Sequence, residues 1–273
     1  MNDRSGLLKA FLGVHRLVPA GLFVLLLAGL LLSAGCAAKN PHQTGTFERG
    51  VFYVEQGKDL QAIGAFESFV RQSPLDSLAA EAQYRKALTY MNLKEYPLAS
   101  VEFQIMRKDY PTSPFIEDAH FQEGKAYLLQ VGRVERDVTG AHEARLHFLQ
   151  FSQQYPGSKY MPEVVAYMQE ISDLMVRKRL EQIKIYAQLR RFAAIAIVLD
   201  DIMLKEAGST LIPEVMWRRA EVAKRLDDRD MAADMYEKLI ALGAENAYFK
   251  KATSALRKLN NSEGVEEVDD ESS

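Results

Sequence analysis

The feature that most constrains this chain is a return of the same residues every 37 positions. "GVFY" at Gly50 to Tyr53 comes back as "ALTY" at Ala87 to Tyr90 and as "GKAY" at Gly124 to Tyr127. Ala62, Phe66 and Pro74 come back as Ala99, Phe103 and Pro111, and then, 45 positions on, as Ala144, Phe148 and Pro156. The additional eight residues fall between Tyr127 and Ala144, where "QVGRVERDVTG" interrupts the pattern. Fainter copies follow: Tyr186, Leu199 and Ile202 are matched 37 positions later by Ala223, Tyr236 and Leu239. A fixed period of this length marks a stack of supersecondary units, each burying its apolar face against its neighbours.

Within a copy the pattern is helix, turn, helix. A Gly or Ala on the first helix lets the second come close, and a Tyr three residues later fills the gap. On the second helix an Ala and an aromatic four residues on share one face. "SP", "YP" and "YP" at 73–74, 110–111 and 155–156 stop each unit, because a helix tolerates proline badly past its first turn. No breaker interrupts Glu163 to Leu189, which predicts one long helix between the two groups of copies. From Glu48 to about Leu242 these features resemble the tetratricopeptide repeat. The resemblance implies an all-α solenoid of about five helix pairs wound into a right-handed superhelix. Residues 47–160 would hold repeats 1 to 3, and 161–260 repeats 4 and 5 with the long linking helix. Residues 261–273, with six acids and no base, read as a disordered acidic tail.

The chain holds a single cysteine, Cys36, so no internal disulfide can form. It follows a basic leader (Arg4, Lys9, Arg16), an uncharged apolar run from Val18 to Ala34, and the small residues Ser33, Ala34 and Gly35. Those three zones describe a secretory signal. "LSAGC" resembles the lipobox of bacterial lipoproteins, with Ser33 standing where a Leu is usual. The resemblance implies cleavage of residues 1–35, lipidation of Cys36, and a polar lipidated tether over 36–46. Ala37, in place of the Asp that retains enteric lipoproteins in the inner membrane, points by the same resemblance to the outer membrane.

One segment narrows the reading. In "RDVTGAHEARLHFLQFSQQYPGSKY", Arg136, Asp137, Ala144, Phe148, Phe151, Tyr155, Pro156, Ser158 and Tyr160 stand in a pattern similar to the third-repeat region of the BamD family. The acidic tail and Trp217 in the last repeat depart from that family's pattern. The resemblance implies a lipid-anchored component of the outer-membrane β-barrel assembly complex, on the periplasmic face. Its role there would be scaffold and receptor for unfolded outer membrane proteins. Its partners would be the barrel-assembly core protein, accessory lipoproteins, and the membrane through its lipid. A second reading stays open at this point: a periplasmic repeat lipoprotein that organises cell-wall or division enzymes.

A solenoid acts through a face. Counting repeats from 43, 80 and 117 puts Phe47, Tyr84 and Phe121 at one repeat position, with Val51, Leu88, Met91, Asn92, Lys125 and Leu128 near them. These are the candidates for a groove that holds an extended peptide with aromatic side chains, Lys125 pairing with a terminal carboxylate. Arg136, Asp137, Arg177 and Arg179 are candidates for contact with a partner protein. The remaining composition restricts function by omission. Thirty-four bases against 37 acids give a net charge of −3, which supplies no drive toward nucleic acid. No nucleotide loop, hydrolase elbow or paired metal-ligand motif occurs, so neither enzyme activity nor a cofactor or metal is expected. His142 and His147 are five apart and read as surface residues, as do Asp200 and Asp201.

Overall fold

The computed structural model describes residues 40–131 and 138–270, with side chains through residue 261. Cys36, Arg136 and Asp137 lie outside the described residues. The chain divides into Met1–Gln43 and Thr44–Ser273. In the first unit only residues 40–43 are described, and there Asn40 Oδ1 accepts a bond from the backbone N–H of His42. Everything below concerns the second.

Eleven helices and no strand occur among the described residues: α1 Phe47–Glu55, α2 Asp59–Gln72, α3 Ala79–Asn92, α4 Tyr96–Asp109, α5 Ile116–Leu129, α6 Thr139–Gln154, α7 Met161–Gln188, α8 Phe192–Lys205, α9 Ile212–Arg225, α10 Arg229–Ala241 and α11 Phe249–Asp270. Each packs chiefly against the helix before and the helix after it. That is the contact pattern of a solenoid. The pairs α1/α2, α3/α4, α5/α6, the second half of α7 with α8, and α9/α10 are the repeats, and α11 closes the C-terminal end.

The small residue on each first helix meets a ring from the second. A Cβ placed on Gly50 would lie 2.4 Å from the Phe66 ring, and one on Gly124 would lie 2.9 Å from Phe148. Ala87 holds the same place against Phe103, both fully buried. The ring thus lies almost on the neighbouring backbone.

Two turns recur. Between the helices of a pair, one residue is left-handed: Gly57, Lys94, Arg190 and Asp227, with φ of 64, 61, 52 and 59°. In each case the next N–H reaches back across the helix end, as from Lys58 to Tyr53 O and from Glu95 to Tyr90 O. This is the closure that satisfies a helix's last carbonyls. Between repeats, a short polar side chain receives the backbone N–H two residues on. Asp76 binds Leu78, Ser113 binds Phe115, Ser158 binds Tyr160, Ser209 binds Leu211 and Asn246 binds Tyr248. The prolines at 74, 111 and 156 fall just ahead of three of these turns, two residues beyond α2, α4 and α6.

Helix α7 is 28 residues long, twice the 14 of α2, α3, α4, α5, α8 and α9. Its first half packs Val164, Ile171 and Met175 with Phe148 and Phe151 of repeat 3. Its second half packs Val176, Leu180 and Ile183 with Ile195, Leu199 and Ile202 of α8. Two consecutive inner helices are therefore fused without a turn. At the C-terminus the backbone of α11 is helical to Asp270.

The glycines separate packing from propensity. Gly64 is exposed in α2, and a Cβ added there would have no neighbour within 4 Å, so Gly64→Ala should raise stability by about 0.5–1 kcal/mol. Gly50→Ala makes the same propensity gain but drives a methyl into the Phe66 ring, and should lower stability by about 1–3 kcal/mol. Urea unfolding of the two variants measures both.

Candidate functional site

The aromatic ladder expected to line a peptide groove is mostly seam. Phe121 is 2% exposed and stacks on Tyr160 with ring centres 4.1 Å apart. Leu128, at 6%, is equally buried. Phe121 corrects the sequence reading: it is a core residue, because the Tyr160 ring ahead of the next first helix turns back onto it, whereas Leu128 is largely buried but still lines a cleft. Tyr84 stacks in the same way on Phe115 at 5.3 Å. Burial, then the charge of Asp118 and the neighbouring Tyr160, raises its phenol above the ordinary range. Phe47 is half-buried against Phe66 and Phe69, with the Arg85 guanidinium over its ring at 5.7 Å. Val51, Leu88 and Met91 are partly buried against the cores of repeats 1 and 2, and Asn92 is exposed. The sequence reading left Trp217 out of the ladder, yet it belongs there: it stacks on Tyr248, 31 residues on, as Tyr84 does on Phe115.

What stays open lies between successive first helices. Lys125, Leu128 and Leu129 of α5, with Val131, face Tyr167, Glu170 and Leu174 of α7 across a cleft of ≈ 210 Å³. Leu129 is 41% exposed. Lys125 and Leu128 are thus the predicted groove residues that the structure does bring to this cleft, with Glu170 on the opposite wall. Of the partner-contact candidates, Arg177 is exposed. Arg179 is bound to Asp201 of α8, which also takes Lys205 at 2.9 Å. Those two cations hold the Asp201 carboxyl below the usual range. Arg179 therefore joins α7 to α8, and the sequence pattern could not show this because the two residues sit on different helices.

A polar cluster absent from the sequence reading lies inside repeats 2 and 3. Glu123 of α5 is fully buried and takes the Arg107 guanidinium of α4 at 2.6 Å. His147 of α6 approaches it at 3.5 Å and stacks on Tyr127. His120 is 1% exposed, packs edge-on to His147, Phe151 and Tyr155, and neither ring nitrogen has a hydrogen-bond partner. Burial, with Arg107 and then His147 adding to it, lowers the His120 pKa to about 3. Burial and Arg107 lower His147 to about 4. Burial raises the Glu123 carboxyl despite its bond to Arg107. His147 is therefore a half-buried member of this cluster, where the sequence suggests a surface residue; of the two, His142 is the exposed one. Among the described residues no group of three or more His, Cys, Asp or Glu is placed to hold a metal.

The helix pairs and recurrent turns define a tetratricopeptide-type solenoid. By sequence, residues 39–239 match a family described as outer membrane lipoprotein, YfiO, which is the BamD family. The chain belongs to that family. No curated protein matches it. Among solved structures it is similar to a thermophilic tetratricopeptide protein of Thermus thermophilus, TTC0263, at 19% identity and a TM-score of 0.32, covering 77% of this chain and 96% of that one. It is also similar to the tetratricopeptide domain of P58(IPK), at 15% identity and a TM-score of 0.26, covering 79% of this chain and 55% of that one.

Two outcomes follow. Phe121→Ala should cost about 3–5 kcal/mol, as loss of a buried ring does, and the loss should show as a lowered urea midpoint. The histidines are neutral in the folded state and charge in the unfolded chain below about 6.5. Their contribution is present at pH 7 and lost as pH falls. Between pH 7 and 5 stability should drop by about 2–4 kcal/mol, with the raised Glu123 carboxyl working in the opposite direction. His120→Leu should flatten that profile.

Proposed function

We propose that this chain is a lipid-anchored subunit of the machinery that assembles β-barrel proteins at the outer membrane. It acts there as scaffold and receptor for unfolded barrel chains. The observation that carries this reading is the family match over residues 39–239. In this reading residues 1–35 are a signal, Cys36 bears the lipid, and residues 36–46 tether the solenoid on the periplasmic side. The barrel-assembly core protein and accessory lipoproteins are its partners, and it works by binding, without cofactor or chemistry of its own.

The cleft of Lys125, Leu129 and Tyr167 suits this role physically. Its walls are mostly apolar, with Lys125 on one side and Glu170 on the other. A peptide ending in an aromatic residue can bury its side chain against Leu129 and Leu174, while its carboxylate pairs with Lys125. Phe121 and Tyr84 serve by keeping α5 and the neighbouring helices in register.

Depletion of the protein should lower barrel proteins in the outer membrane while septation continues; failed septation with normal barrels would sink the proposal. In a binding assay with a Phe-terminated peptide, Lys125→Glu should weaken affinity at least ten-fold with unchanged helicity. Cys36→Ala should abolish incorporation of labelled palmitate.

A further inference from the structure

A second cleft lies at the other end of the solenoid. Between α9 and α11, Trp217 and Leu259 are surrounded by Lys224, Lys250, Lys251 and Lys258, in a volume of ≈ 660 Å³. Trp217 and Glu221 also line the adjoining cleft, which adds Arg190, Arg218 and Arg225. Glu221 is already engaged by the Tyr236 hydroxyl at 2.6 Å and by Lys224 at 3.3 Å. Lys250 and Lys258 have no carboxylate partner among the described residues. The family match stops at residue 239, so the α11 wall of this cleft is a feature of this chain beyond it.

Helix α11 is divided by charge. Over 249–258 it carries Lys250, Lys251, Arg257 and Lys258 and no acid; over 262–270 it carries Glu263, Glu266, Glu267, Asp269 and Asp270 and no base. This order opposes the helix macrodipole, which favours acids at the N-terminus and bases at the C-terminus. The helix's own stability therefore does not account for it. An antiparallel second copy of α11 reverses the order. A two-fold axis near residues 258–259 sets Lys250 and Lys251 of one helix opposite residues 266–267 of the other, and does so twice, as an isologous contact requires.

We propose that the acidic end of α11, residues 261–273, docks in the lysine-lined cleft of a second copy of this chain. The acids of that segment meet the lysines, and both ends of the contact are made at once. The association is electrostatic in character, so salt screens it.

Sedimentation equilibrium of the full chain in non-ionic detergent tests this directly. A dimer is expected at micromolar concentration in 50 mM salt, dissociating at least ten-fold more readily in 500 mM. Lys250→Glu/Lys251→Glu and, separately, Glu266→Lys/Glu267→Lys should each weaken self-association at least ten-fold. Mixing the two variants should restore a dimer, because each cleft then finds a tail of opposite charge. A chain that stays monomeric in low salt overturns the proposal, including one that binds phosphatidylglycerol vesicles through the same lysines. A dimer that neither reversal weakens, or variants that fail to pair on mixing, overturns it as well.

Discussion

Phe66 and Phe148 lie fully buried against helices that offer no side chain at the point of contact. Absence of a Cβ at Gly50 and Gly124 brings the second helix of each pair close enough that ring carbons touch backbone. Ala87 keeps the same geometry in repeat 2. Dispersion is short-ranged, so this proximity sets how much each pair gains from packing. It also fixes where the first helix of the next pair must lie. The seam stacks of Tyr84 on Phe115, Phe121 on Tyr160 and Trp217 on Tyr248 fill the space that follows. With one cysteine in the chain, repetition of this contact carries the stability that cross-links cannot.

Much of this was legible in the sequence because close approach demands a specific residue type at a specific spacing. Glycine, tyrosine, alanine, phenylalanine and proline recur at the period, and the helix pairs follow from them. The left-handed turns were less visible: Lys94, Arg190 and Asp227 hold a conformation for which only Gly57 carries the usual residue. The fusion in α7 left a readable trace as a run without breakers, but not its division between two cores. That division depends on which faces meet. The same limit explains the site. A repeat position marks Phe121 but does not say whether the next turn folds a tyrosine over it. Arg179 and Asp201, or Glu123, Arg107 and His147, come together from separate helices and share no local pattern.

The open surface follows from what the seam leaves uncovered. Lys125 and Leu129 face Tyr167 where α5 and the first half of α7 diverge. Farther on, Trp217 is shared between two clefts whose walls are rich in lysine and arginine. One end of the same inner face is therefore chiefly apolar with a lone cation, and the other is cationic around an indole. A single stack of similar units presents two chemically distinct surfaces without a second domain.

Helix α7 has a mechanical consequence. In a solenoid whose units touch only their neighbours, tension applied at one end peels repeats away one at a time, each yielding at its own load. α7 breaks that sequence. Its 28 residues are anchored in the core of repeat 3 at Ile171 and in the next core at Leu180, with no loop between to give slack. A pull that reaches α7 is passed rigidly from one core to the next, so the centre of the molecule resists as a single block while the outer repeats act as its fuses.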